Sequence, residues 1–351
     1  MFGLNPDGRN IFLITTPFQF ILANLIKDEF KLEAELIVVT DLDKSLEQID
    51  ESAKYMNVNN YRKMFKSVPL NEHNKFKLLY KEVFRYASML KLKASFKRHD
   101  NVFVGLATSP INRPIVCGHK DYNLVFFDDG TATIRFLRKR ETGEKNINFP
   151  KSSLLHFYTK FYPRFATLNE IVYYTIYPGL RGGKNDTVVQ VKANLPSRLI
   201  KNKSETDEIW FIGGPLVERR VIPDDIYARE IKNILKVCHD LNLKFVYFSH
   251  RVEKWIYENF PEMEIRQPSL PWELFFALSE EKPKAIVSIM SSVIVNLSIL
   301  SGQICQLIYL DIDHIGENGV IKEMQDYAKR VLKIPVISSR GELKLMIFGE
   351  E

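Results

Sequence analysis

Two adjacent carboxylates close an apolar run in Leu124-Val-Phe-Phe-Asp128-Asp129-Gly130-Thr131. The run reads as a buried strand, and the glycine after it can turn the chain sharply. Carboxylates at the carboxyl end of a strand stand where ligands sit in an open α/β sheet. Neighbouring strand residues point to opposite sides, so one of Asp128 and Asp129 can meet a ligand while the other braces the turn. His250 follows the apolar Lys244–Phe248 at the same kind of edge, and an imidazole is the side chain most easily tuned to give a proton near neutral pH. Ser291-Ser292 lies between an apolar strand and an apolar helix, where hydroxyls and free helix amides together bind anions. Pro271-Trp272-Glu273 opens a helix, and Glu273 could accept hydrogen bonds from ribose hydroxyls. Each feature also has a purely structural reading: an Asp-Gly turn, a satisfied histidine, a helix cap, and a carboxylate that steadies a helix dipole.

The elements that must position these residues alternate along the chain. Asn10 to Thr15 reads as a strand, Thr16-Pro17-Phe18-Gln19 opens an amphipathic helix to about Phe30, and Glu35 to Thr40 is the next strand. Strand, helix, strand with a helix-length connection is the parallel-sheet unit. Lys75 to Arg98 is a long helix candidate with Phe76, Leu79, Tyr80, Val83, Phe84, Ala87 and Leu90 on one face and Lys77, Lys81, Arg85, Lys91, Lys93, Lys97 and Arg98 elsewhere. That pattern suits a solvated face or a surface that meets anionic lipid or glycan. Asn101 to Gly105 and Tyr122 to Phe127 are further strands. A basic segment follows (Arg135, Arg138, Lys139, Arg140), then an aromatic and basic run from Leu154 to Phe165.

The sequence turns polar from Gly179 to Glu205, and we place the domain boundary there, between residues 1–190 and 205–351. The second half repeats the alternation: a strand to Ile212 ending in Gly213-Gly214-Pro215, a helix from Asp224 to Leu241, the strand before His250, a short helix from Trp272 to Leu278, and strands at Ala285–Ile289 and Cys305–Leu310. Two Rossmann-like α/β halves are expected, their parallel sheets facing a central cleft.

At 351 residues two domains are the default, and an apolar fraction of 45% with 26% charged residues is that of a soluble globular protein. The net charge of +6 favours anionic partners, but no RNA-recognition signature, zinc-finger spacing or recognition-helix pattern points to nucleic acid. Cys117, Cys238 and Cys305 are odd in number and far apart, so buried free thiols in a reducing compartment are expected. The amino terminus lacks a signal-peptide layout, and a cytoplasmic location is the simplest expectation. The uncharged stretch from Ala285 to Leu310 is long enough to span a membrane, yet serines, Asn296, Gly302 and glutamines break it into strand, turn, helix and strand. Asp41-Leu-Asp43 and Asp311-Ile-Asp313 read as turn-forming aspartates rather than metal ligands.

In order along the chain come an acid pair with glycine, Gly-Gly-Pro, a histidine, Pro-x-Glu and a serine pair. With that order the chain resembles the bacterial sialyltransferases of glycosyltransferase family 52 and the related capsular polysialyltransferases. Thr16-Pro17-Phe18-Gln19, with Asn24, is similar to their Ser/Thr-Pro-x-Gln opening, and Arg251 stands where the family has proline after histidine. The resemblance implies a two-domain GT-B enzyme that moves sialic acid or another nonulosonic acid, with inversion, from its CMP-activated donor to a hydroxyl of a cell-surface glycan such as lipooligosaccharide or capsule. It implies that Asp128, or Asp129 if the pleat is reversed, takes the acceptor proton. His250 would protonate or hydrogen-bond the departing phosphate, which Ser291 and Ser292 hold; Glu273 would hold the ribose, and Gly213 and Gly214 would admit the nucleotide. No metal or other cofactor is required beyond the CMP-sugar. Peripheral contact with the anionic inner face of a membrane is an accompanying expectation from the basic and aromatic surfaces. A CDP-alcohol phosphotransferase of GT-B fold and a non-catalytic glycan- or nucleotide-binding protein are the competing readings.

Overall fold

The computed structural model describes residues 3–40, 42–65, 75–105, 109–117, 119–148, 165–201, 204–302, 305–312 and 319–348. The chain divides into two compact units, Met1–Ala193 and Asn194–Glu351. Residues 154–164 of the aromatic and basic run, together with Asp41 and Asp313, lie outside the described residues.

In the first unit the elements are β1 (Asn10–Ile14), α1 (Pro17–Phe30), β2 (Ala34–Val38), α2 (Asp43–Met56), β3 (Arg62–Lys63), α3 (Lys75–Ala94), β4 (Asn101–Val104), α4 (Arg113–Val116), β5 (Asn123–Phe127), α5 (Ala132–Glu141), β6 (Asn146–Asn148), β7 (Phe165–Thr167), β8 (Val172–Thr175) and β9 (Thr187–Gln190). Seven strands form one parallel sheet in the order β3-β2-β1-β4-β5-β8-β9, and β6 and β7 pair antiparallel beside it. Sequence and contact agree most simply in β5: Val125, Phe126 and Phe127 are fully buried, worth ~1.5–3 kcal/mol for a side chain of this kind. Gly130, just beyond, has φ 67°, the left-handed turn for which glycine is the natural residue. At the start of α1, Pro17 occupies the first turn as the sequence suggests, and Thr16 adds a cap, its hydroxyl accepting the Gln19 N–H at 3.2 Å.

The second unit contains β10 (Ser204–Ile212), α6 (Asp224–Asp240), β11 (Lys244–Phe248), α7 (Trp255–Asn259), β12 (Ile265–Arg266), α8 (Trp272–Leu278), β13 (Glu281–Ser288), α9 (Ser292–Leu300), β14 (Gln306–Leu310), α10 (Gly319–Val331), β15 (Val336–Ile337) and α11 (Arg340–Phe348). Its parallel sheet runs β12-β11-β10-β13-β14-β15. The stretch from Ala285 to Leu310 therefore belongs to strand, helix and strand, and no helix among the described residues is long and apolar enough to cross a membrane.

Each sheet has a place where the chain reverses its direction of travel across the strands, between β1 and β4 in the first unit and between β10 and β13 in the second. At such a point the loops leave in opposite directions and open a crevice at the carboxyl edge.

The polar stretch from Gly179 onward is more ordered than its composition suggests. Residues 187–190 add strand β9, and the Asp186 carboxylate is buried against Arg140 of α5, with Nε to Oδ2 at 3.0 Å and Nη2 to Oδ1 at 2.5 Å. Asp186 also accepts the Gly183 and Ile171 amides at 2.6 and 3.1 Å, and Arg140 donates to the Leu168 carbonyl at 2.6 Å. Arg140, read from sequence as part of a basic surface segment, is thus a buried tie. Cys238 is a buried free thiol, while Cys117 and Cys305 are half-buried ones.

Candidate functional site

Of the acid pair in the first unit, Asp128 is fully buried. Its Oδ2 accepts the Ile176 amide at 2.6 Å, and its Oδ1 has no hydrogen-bond partner among the described residues. Burial pushes its carboxyl up to about 7, against the pull of the Ile176 amide and the Thr175 and Thr133 hydroxyls. Asp129 is half-buried and accepts the Thr16 hydroxyl at 3.2 Å, which ties the end of β5 to the start of α1. The pleat thus leaves Asp129 at the accessible edge and turns Asp128 inward as the brace.

Gln19 was legible only as part of the opening motif, and the structure shows why it is buried. Its Oε1 accepts the Thr15 amide at 2.7 Å and the Thr15 hydroxyl at 2.9 Å, so the amide nitrogen must face the other way, where it has no partner among the described residues. There it fills the space over Gly105, whose added Cβ would lie 2.1 Å from that nitrogen. Thr15, Gln19 and Gly105 therefore meet where β1 and β4 diverge. Asn24 is a buried helix residue that donates to the Phe20 carbonyl at 2.7 Å.

In the second unit three strands end level: Ile212 pairs with Phe248 on one side and with Ser288 on the other. Gly213 and Gly214, Ser249 and His250, and Ser291 and Ser292 consequently follow at one edge of the sheet, across the β10/β13 reversal. Gly213 has a packing reason, since a Cβ there would fall 2.1 Å from the Tyr247 hydroxyl; at Gly214 the nearest atom would be an ordinary 3.7 Å away. Ser291 caps α9, its hydroxyl accepting the Val293 amide at 3.3 Å, and both serines are half-buried.

The geometry fixes how His250 can act. Its Nδ1 accepts the Val252 amide at 3.3 Å, so the neutral ring carries its proton on Nε2. Burial, with Arg251 and Arg219 nearby and Glu218 opposing, lowers its pKa to about 4. At neutral pH the unliganded ring is a hydrogen-bond donor, not a ready acid. Its backbone is held by a residue that sequence reading missed: Glu253, 4% exposed, takes the His250 amide on Oε2 at 3.0 Å and the Tyr247 hydroxyl on Oε1 at 2.6 Å. Tyr227 extends the chain, its hydroxyl 2.7 Å from that of Tyr247. Burial raises Glu253 to about 7. The signal was present as His-x-x-Glu, the spacing at which a carboxylate reaches back to a turn amide. Glu218 holds the next two links, accepting the Lys254 and Trp255 amides at 2.7 and 3.0 Å.

Glu273 is only 3% exposed and accepts the Asn296 side-chain amide at 2.7 Å, joining α8 to α9. Burial raises its pKa, with Asn296 pulling the other way. Among the described residues no group of three His, Cys, Asp or Glu side chains is placed to hold a metal ion.

No protein-family model and no curated protein sequence matches the chain. Several solved structures are similar along nearly its full length, among them two with a TM-score above 0.5. One is the UDP-GlcNAc 2-epimerase of Methanocaldococcus jannaschii in complex with UDP-GlcNAc and UDP, with a TM-score of 0.53 and 11% identity over 98% of this chain and 93% of that one. The other is Arabidopsis thaliana UGT89C1, with a TM-score of 0.52 and 6% identity over 98% and 91%. At such identities the likeness concerns fold alone, and together with the two parallel α/β units it shows that this chain has the GT-B fold.

Proposed function

We propose that the protein is an inverting glycosyltransferase that moves sialic acid or a related nonulosonic acid from its CMP-activated donor to a hydroxyl of a cell-surface glycan, such as lipooligosaccharide or capsule. The observation that carries this reading is the level edge of the second sheet. Gly214, the His250 Nε2–H and the Ser291-capped start of α9 follow adjacent strands there, a set of backbone, donor and helix amides suited to a nucleotide phosphate. Arg219 and Arg251 add positive charge around the imidazole.

In this reading Asp129 takes the proton from the acceptor hydroxyl as its oxygen attacks the anomeric carbon. The bond from that carbon to the phosphate oxygen breaks, and CMP leaves with the electron pair. His250 meets the growing phosphate charge with a hydrogen bond, while the Ser291 and Ser292 hydroxyls and the α9 amides hold it. Glu273 is buried and holds α8 to α9 through Asn296, so its assignment to the ribose hydroxyls rests on the resemblance alone. Asp128 is the brace that sets the turn through Ile176.

The test is a transfer assay with CMP-sialic acid and a galactose-terminated acceptor. Asp129→Asn should lose transfer while keeping CMP binding, and Asp128→Asn should keep both. Undiminished transfer by Asp129→Asn would remove Asp129 as the base, and a phosphodiester product from a CDP-alcohol would replace the reading with a phosphotransferase.

A further inference from the structure

We propose that the outward face of α3 docks the protein on an anionic lipid bilayer, an inference independent of the reaction chemistry above. The helix has two apolar faces. Met89 and Leu92 are buried in the first unit's core with Val102, Val104, Ile115 and Val116. On the other side Val83, Phe84 and Leu90 are 36%, 53% and 38% exposed, and Ala87 and Ala94 are exposed with them. Positions 83, 87, 90 and 94 recur at helical spacing, so they form one stripe, roughly 16 Å long, with Phe84 beside it. A solvated helix would carry polar residues there.

The charges around that stripe are predominantly positive, with Glu82, the residue before Val83, the single carboxylate from there to Arg98. From Val83 to Arg98 the sequence contains Arg85, Lys91, Lys93, Lys97 and Arg98 and no carboxylate. Lys91, Lys97 and Arg98 are exposed, and the next acid along the chain, Asp100, is buried and paired with Arg9 at 2.5 Å. An apolar stripe with exposed cations on and just beyond the same helix fits an interface whose outer layer is anionic and whose next layer is hydrocarbon. A glycan would leave Phe84 and Leu90 without a matching surface, and a nucleic acid would use the cations alone.

The experiment is co-sedimentation of the full chain with vesicles of phosphatidylcholine alone and of a seven-to-three mixture of phosphatidylcholine and phosphatidylglycerol, at low and high salt. Binding to the anionic vesicles, weakened by salt and weak on phosphatidylcholine, is expected. Replacing Lys91, Lys97 and Arg98 by Gln together should lower partitioning about a hundredfold. Phe84→Ser with Leu90→Ser should lower it about tenfold or more; because Phe84 also meets the buried Phe65 ring edge-on, centroids 6.4 Å apart, thermal unfolding of the variant is measured alongside and binding is compared well below its midpoint. No binding to anionic vesicles at low salt would overturn the proposal. So would binding by both variants equal to wild type, which would place the contact elsewhere on the protein.

Discussion

Asp128→Asn should make the folded protein more resistant to unfolding as the pH rises, because it removes a buried ionisation. Burial raises the carboxyl from 3.8 to about 7, so between those values the folded chain keeps a proton that the unfolded chain releases. Stability from this group is therefore full below about 3.8 and is lost as the pH climbs through 7. Asparagine stays neutral, and its carbonyl can accept the Ile176 amide that Oδ2 accepts now. The variant's advantage over wild type should thus grow by about 3 kcal/mol between pH 5 and pH 8. Glu253, raised from 4.5 to about 7, changes stability in the same direction, whereas His250, lowered from 6.5 to about 4, contributes stability above 6.5 that is lost as the pH falls through 4. Both groups are common to the two proteins and cancel in the comparison. Urea unfolding of each at the two pH values measures the difference. An advantage, or a deficit, of the same size at both would mean that Asp128 ionises as an ordinary surface carboxylate, and its assignment as an inward brace would fall.

Three further outcomes follow from contacts in single units. Arg140→Ala leaves Asp186 buried without its cation and should cost ~3–5 kcal/mol in the same assay, more than joint replacement of both residues by apolar ones. Gly213→Ala should destabilise by ~1–3 kcal/mol, because its Cβ would meet both the hydroxyl and the ring carbons of Tyr247; unchanged urea unfolding would refute the contact. In a nuclear magnetic resonance titration of the unliganded protein, His250 should show the Nε2–H tautomer and stay neutral down to about pH 5, and a midpoint near 6.5 would contradict its burial.

The sequence was most legible where local pattern and tertiary context agree. The run into Asp128 alternates with nothing, is wholly apolar and lies at the interior of a parallel sheet, so β5 is read directly; β11 and the carboxyl half of β10 are of the same kind, whereas the polar first half of β10, from Ser204, carries no such pattern. The Ser291 cap and the Pro17 helix start are local motifs with local causes. Residues 187–190 were passed over because Thr, Val, Val and Gln form an edge strand whose pairing is decided by β8, not by their own pattern. Arg140 and Asp186 are 46 residues apart, and nothing at either position shows that a partner will arrive. The choice within the acid pair depended on pleat direction, which a one-residue shift reverses. Glu253 needed knowledge that Tyr247 and the His250 amide would both turn toward it. A hydrogen bond closed within four residues leaves a mark in the local sequence, whereas a charge pair closed over 46 residues leaves none.

The most direct test of the account is calorimetric titration of the full chain with CMP, using UMP, UDP and ADP as comparisons. Selective CMP binding that weakens in His250→Ala is the expected result. It would support the nucleotide edge of the second unit and the donor together. Preference for UDP would keep the nucleotide edge but replace the donor. No binding of CMP, or equal binding of all four nucleotides, would contradict the proposed transferase.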